Sequence, residues 1–128
     1  MSHIPKNVKY TRTHEWVQED DDVITLGITD HAQTMIGDLV YVELPEVDTH
    51  LSSGEECAII ESDKTAADIY IPVSGEVIEI NESVIQNPNL INQDPYGRGW
   101  LLRLRIHGKV GELLTPKEYI KVIASEAH

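Results

Sequence analysis

Apolar and polar positions alternate with a period of two along most of this chain, which predicts strands rather than helices. EWVQE, beginning at Glu15, and DVITLGI, ending at Ile28, flank an acidic DDD turn and predict a hairpin. LVYVEL alternates over 39–44 and stops at Pro45. EECAIIES (55–62) and AADIYI (66–71) flank Asp63 and Lys64, predicting a second hairpin. GEVIEI (75–80) follows the turn PVSG. In GWLLRLRI (99–106), Arg103 and Arg105 share one face, with Leu102, Leu104 and Ile106 on the other.

Two segments carry the helical period instead. TDHAQTMIG (29–37) offers Thr29 or Asp30 as N-cap and stops at Gly37. A C-terminal helix over about 115–125 opens on Thr115, with Pro116 at its first position and Glu118 three residues after the cap, a capping-box pattern. Its Tyr119, Ile120, Ile123 and Ala124 are expected to form one stripe against the body. The stretch 81–99, rich in Asn, Pro and Gly, reads as a surface loop with room for a short helical turn.

Many short strands with turn signals roughly every ten residues predict a mainly β protein, a sandwich or flattened barrel with peripheral helices. No linker, low-complexity stretch or convincing repeat interrupts it, so 1–128 reads as one domain.

Charge adds a constraint. The formal net charge is −12, and between positions 13 and 97 there are 19 Asp and Glu against a single basic residue, Lys64. Such a field disfavours nucleic acid and anionic membrane and favours basic protein faces, amines or cations. The single cysteine, Cys57, sits in apolar ECAII and reads as a buried small hydrophobe rather than a nucleophile. No apolar run approaches membrane-spanning length and the N-terminus has no signal-peptide core, so a cytoplasmic protein of prokaryotic type is expected.

Lys64 is the candidate for chemistry. At a hairpin tip its amine points outward, within reach of a foreign active site, and its isolation makes modification selective. The plain alternative is a surface lysine pairing weakly with Asp63 or Asp68. His14 and Glu15 in THEW raise metal or acid–base options, but position 18, where a zincin needs its second histidine, is Gln. His31 and His50 lie in separate segments, Ser74 lacks nucleophile-elbow spacing, and GRG (97–99) is too short for a phosphate loop. No catalytic residue and no metal site is expected.

ESDKTAADIYIPVSGEV resembles the lipoylation segment of the glycine cleavage system H proteins, a family of lipoyl carriers. YTRTHEWV, GITDHAQTMIGDLVYVELPEV and NPNLINQDPYGRGWLLRLRI resemble that family too, in its order, from about Tyr10 to Ile106. The resemblance implies a barrel-sandwich hybrid of antiparallel sheets and a carrier rather than an enzyme. It implies lipoic acid in amide linkage on Lys64, with Glu61 and Gly75 in the surface read by the lipoylating enzymes. Gly75, after Pro72 and Ser74, is expected to need a positive φ. The partners implied are glycine decarboxylase, which loads an aminomethyl group, aminomethyltransferase, which passes the one-carbon unit on, and dihydrolipoyl dehydrogenase, which reoxidises the dithiol. Glu15 and Asp68, with Thr13 as a hydroxyl partner, are expected to dock the cationic end of the loaded arm.

Asp63 and Thr65 depart from the pattern, since the family commonly has a small apolar residue before the lysine and Ala after it. Asp-Lys is closer to the lipoyl domains of 2-oxoacid dehydrogenases. A relay carrier serving those enzymes is therefore one alternative reading, and an unmodified binding module is another. Biotin carriers share the fold but flank their lysine with Met, which is absent here.

Overall fold

A computed structural model describes residues 3–126. The remaining end residues of the expected 1–128 domain lie outside the described residues.

Among the described residues, nine strands form two antiparallel sheets. The larger sheet runs β1 (Lys9–Tyr10), β2 (Glu15–Asp20), β3 (Val23–Ile28), β9 (Leu102–Ile106), β8 (Gly75–Ile80) and β5 (His50–Leu51), in that spatial order. The smaller runs β4 (Leu39–Glu43), β6 (Glu56–Ser62) and β7 (Ala66–Tyr70). Among the described residues no closed barrel forms; the sheets pack over a shared core of Ile24, Leu26, Ile60, Ile69, Val77 and Leu104. Each contributes the inward half of its alternation, as the period of two requires. Both expected hairpins are present, and β2 pairs in full with β3 from Glu15↔Ile28 to Asp20↔Val23. Trp16 faces Gly27 across this ladder, and a Cβ on Gly27 would lie 2.5 Å from the indole, so this position has no room for a side chain.

Helix α1 (Asp30–Ile36) has Thr29 as its cap, the hydroxyl accepting the Ala32 N–H, and ends at Gly37 with φ of 92°. The stretch 81–99 is more ordered than the sequence suggests. It holds α2 (Glu82–Gln86) and α3 (Asn89–Gln93), with Val84, Leu90 and Ile91 buried. The buried Asn81 accepts the Ser83 N–H and donates to the carbonyls of Arg98 and Trp100, which fixes the segment at both ends.

Helix α4 (Pro116–Glu126) shows the reciprocal capping box: Glu118 accepts the Thr115 N–H, and Thr115 accepts the Glu118 N–H. These bonds hold the Glu118 carboxyl below the usual glutamate range. The stripe of α4 differs from expectation. Tyr119 is fully buried and Val122 and Ile123 pack beside it, whereas Ile120 is 52% exposed and Ala124 faces solvent. Stacking of Tyr119 on Tyr10, with centroids 4.6 Å apart, sets the helix's rotation and turns Ile120 outward.

Candidate functional site

The β6–β7 hairpin ends in the two-residue tip Asp63–Lys64. The Ser62 hydroxyl accepts the N–H groups of both Lys64 and Thr65, and the Ser62 N–H donates to the Thr65 carbonyl at 2.8 Å. A serine before the tip thus supplies local hydrogen bonds to a turn that lacks glycine. Lys64 is exposed and makes no ion pair among the described residues.

Beside the tip lies a cleft of about 250 Å³ lined by Ile36, Gly37, Asp38, Ser62, Asp63 and Lys64. Its far wall is held by Asn92 on α3, whose amide donates to the Gly37 carbonyl and the Gln33 side chain while its oxygen accepts the Leu39 N–H. One asparagine therefore fixes the end of α1 and the start of β4 opposite the lysine.

The other residues singled out in the sequence are dispersed. Glu61 is half-buried on β6, three residues before Lys64, opposite Tyr41 and Ala66. Gly75 lies at the start of β8 in the larger sheet, paired with Leu51 and Ile106. The expectation of a positive φ there is corrected: the left-handed glycines are Gly37, Gly54 and Gly108. What excludes a side chain at Gly75 is space, since a Cβ would collide with the Arg105 carbonyl oxygen.

Glu15 is buried, 1% exposed. The hydroxyls of Thr11 and Thr13 both donate to its Oε1, and the Tyr70 N–H on β7 reaches its Oε2 at 3.4 Å. The Thr11 hydroxyl also accepts the Glu15 N–H, closing the turn onto β2. Glu15 thus comes to the strand that descends from the lysine tip. Asp68 lies on that strand two residues before Tyr70, exposed, with no side-chain hydrogen bond among the described residues. Thr11 is a partner the sequence reading missed, although the spacing T-x-T-x-E gives Thr11, Thr13 and Glu15 a common parity.

Two histidines from separate segments meet. The rings of His14 and His31 have centroids 4.9 Å apart, and His14 Nε2 lies 2.9 Å from Glu126 Oε1 on α4. His14 takes a left-handed φ of 72°, which turns its ring toward α1 and α4. Burial, and then the neighbouring His14, push the His31 pKa down. Cys57 is buried, as expected, and its thiol pKa is pushed up to about 12 by burial and by Glu15.

Residues 8–126 match the family model described as Glycine cleavage H-protein. The chain is 52% identical to a glycine cleavage system H protein of Thermus thermophilus, covering 97% of this chain and 98% of that one. Against that of Alkalilimnicola ehrlichii the identity is 50%, covering 98% and 99%. The crystal structure of a glycine cleavage system H protein from Mycobacterium marinum superposes with a TM-score of 0.90 at 41% identity, over 94% of this chain and 99% of that one.

Proposed function

The chain belongs to the glycine cleavage H-protein family, a carrier of the glycine cleavage system, and on that premise we propose how its residues do the carrying. Lys64 is the attachment point, taking lipoic acid in amide linkage through Nζ. The site fits such a group: the amine is exposed, its turn is fixed by the Ser62 hydroxyl, and a cleft opens beside it. Lipoate held there by Lys64 would supply a disulfide able to accept a one-carbon amine unit from a partner enzyme. The protein's own contribution is to hold one tethered end at high effective concentration for several enzymes in turn.

Those enzymes are glycine decarboxylase, aminomethyltransferase and dihydrolipoyl dehydrogenase, preceded by the enzymes that lipoylate Lys64. The acidic surface steers their basic faces toward the tip. Glu61, half-buried just below the tip, belongs to the surface the lipoylating enzymes read, and Gly75 acts there through the shape of the backbone. Glu15, Thr13 and Asp68 form the dock for the cationic end of the loaded arm, with Glu15 supplying a carboxylate already oriented by two hydroxyls. The protein is a single domain, works in the cytoplasm and leaves the catalysis to its partners. Among the described residues no helix is long and apolar enough to cross a membrane.

The observation that carries this reading is an exposed lysine on a two-residue hairpin tip, the single Lys or Arg between positions 13 and 97. Intact-mass spectrometry of protein made in cells that synthesise lipoate tests it. One lipoyl adduct, lost in Lys64→Arg, is expected; an unmodified chain that supports no turnover with the three glycine cleavage enzymes sinks it. A chain that is lipoylated but inactive with those enzymes points instead to relay for 2-oxoacid dehydrogenases.

A further inference from the structure

We propose that His14, His31 and Glu126 form a binding site for one zinc-class divalent ion, separate from the lysine hairpin. The three ligand atoms lie within 4.8 Å of one another. His14 Nε2 and His31 Nε2 are 2.9 and 4.0 Å from the same carboxylate oxygen, Glu126 Oε1. Tetrahedral zinc with bonds of about 2.0–2.1 Å spaces its ligands about 3.3 Å apart. Small side-chain rotations bring all three within that spacing. Two imidazoles and one carboxylate suit zinc and its neighbours in the first transition row better than calcium or magnesium, which prefer oxygen. The fourth position is left to water.

The surrounding hydrogen bonds orient the set. His14 Nδ1 lies 2.8 Å from the Tyr119 hydroxyl, which is 2.7 Å from the Thr29 hydroxyl, and Thr29 accepts the Ala32 N–H. When His14 Nδ1 donates to Tyr119, its Nε2 presents a lone pair toward Glu126. Two electron-rich groups at 2.9 Å need a cation or a proton between them. A metal-ligating histidine held through its other nitrogen to an oxygen is a recurrent device for fixing tautomer and ring plane. His31 Nε2 is buried, faces the same carboxylate and has no hydrogen-bond partner among the described residues. A buried imidazole nitrogen without a partner is costly unless something fills the gap. One ion satisfies all three groups.

The ligands come from three elements. His14 lies in the turn before β2, His31 in the first turn of α1, and Glu126 at the end of α4. An ion here clips the last turn of α4 to the body. It also holds the turn at His14, next to the buried Glu15, so the site bears on the carrier's dock without belonging to it.

The test uses the full chain, freed of metal by a chelator, titrated with Zn²⁺ in a calorimeter and with Co²⁺ in a visible spectrometer. One equivalent should bind, with the visible bands of tetrahedral Co²⁺ and a rise in melting temperature. His31→Asn and Glu126→Gln should each weaken Zn²⁺ binding at least about tenfold and abolish the rise, while circular dichroism stays native. His50→Asn is the control, because His50 and His107 form a second pair with centroids 6.0 Å apart; it should bind as the wild type does. The proposal is overturned if the wild type shows no saturable equivalent. It is equally overturned if His31→Asn and Glu126→Gln bind like the wild type, or if His50→Asn removes the site.

Discussion

The carboxylate of Glu15, on the larger sheet, accepts the backbone N–H of Tyr70, on the smaller one, at 3.4 Å. With Thr11 and Thr13 on its other oxygen, Glu15 becomes a polar tie between the sheets, at the edge where the lysine hairpin descends. A buried carboxylate is tolerable only when its oxygens are satisfied, and here the turn before β2 is built to do so. The sequence presents Glu15 as a site residue, yet the fold also uses it to lock β2 in place.

Lys64→Arg should abolish carrier activity and leave the fold unchanged. The guanidinium keeps the charge but does not accept an acyl group under these conditions. At an exposed tip, stability should move by no more than about 0.5 kcal/mol. Mass spectrometry and a reconstituted glycine cleavage assay check both halves; residual turnover by the variant would falsify the assignment of the attachment point.

Gly75→Ala should destabilise the protein by about 1–3 kcal/mol or more, as overpacking against fixed atoms does. The new Cβ would collide with the Arg105 carbonyl oxygen and meet the Leu104 side chain at 2.8 Å. The carbonyl belongs to the β8–β9 ladder and cannot withdraw without breaking it. Urea denaturation is the measurement. An unchanged midpoint combined with slower lipoylation would mean that Gly75 acts only in recognition.

Several buried acids should make the fold sensitive to alkali. Burial raises the pKa of Tyr96 from its ordinary 10 to about 12, and that of Cys57 from 9 to about 12. Tyr10 and Tyr119 are raised as well, by burial first. In the unfolded chain these groups release protons at their ordinary values, while the folded chain retains them. The unfolded state therefore binds fewer protons as pH climbs past 9, and stability falls with rising pH. It should be fully present at about pH 8 and decline progressively above 9, toward about 12. Urea midpoints across that range test the slope. At about pH 8 the native Cys57 thiol should be inert to a disulfide reagent and react only on unfolding.

The hairpins were legible because alternation alone fixes a strand's buried face, and Asp63–Lys64 interrupts it cleanly. The capping box of α4 was legible because both of its partners lie within one helical turn. Other features depend on neighbours distant in sequence. Gly75 needs its missing side chain because of Arg105, a full strand and two helices further along the chain. His14 and His31 looked unrelated, because only the left-handed turn at His14 and the crossing of α4 bring their rings together. The short helices in 81–99 rest on the Asn81 side chain holding the Arg98 and Trp100 carbonyls and on the Asn92 side chain reaching β4 and the end of α1, which turn composition does not reveal.

Glu15 and Asp68 should separate when the loaded carrier is followed by the hydrolysis of its aminomethyl group. Asp68 is exposed and has no side-chain hydrogen bond among the described residues, so removing its carboxylate costs the fold little. Asp68→Asn should keep its urea midpoint, be lipoylated normally, and lose the loaded group faster. Glu15 is different: Glu15→Ala strands the Thr11 and Thr13 hydroxyls and the Tyr70 N–H, at a cost of about 1–3 kcal/mol. That variant should lose stability and protection together. Glu15→Gln keeps an acceptor for the hydroxyls but removes the charge and turns an NH2 toward the Tyr70 N–H, so it should restore part of the stability without restoring the protection. If Asp68→Asn and Glu15→Gln both release the aminomethyl group no faster than the wild type, the carboxylates do not hold the amine, and Glu15 is a structural tie alone.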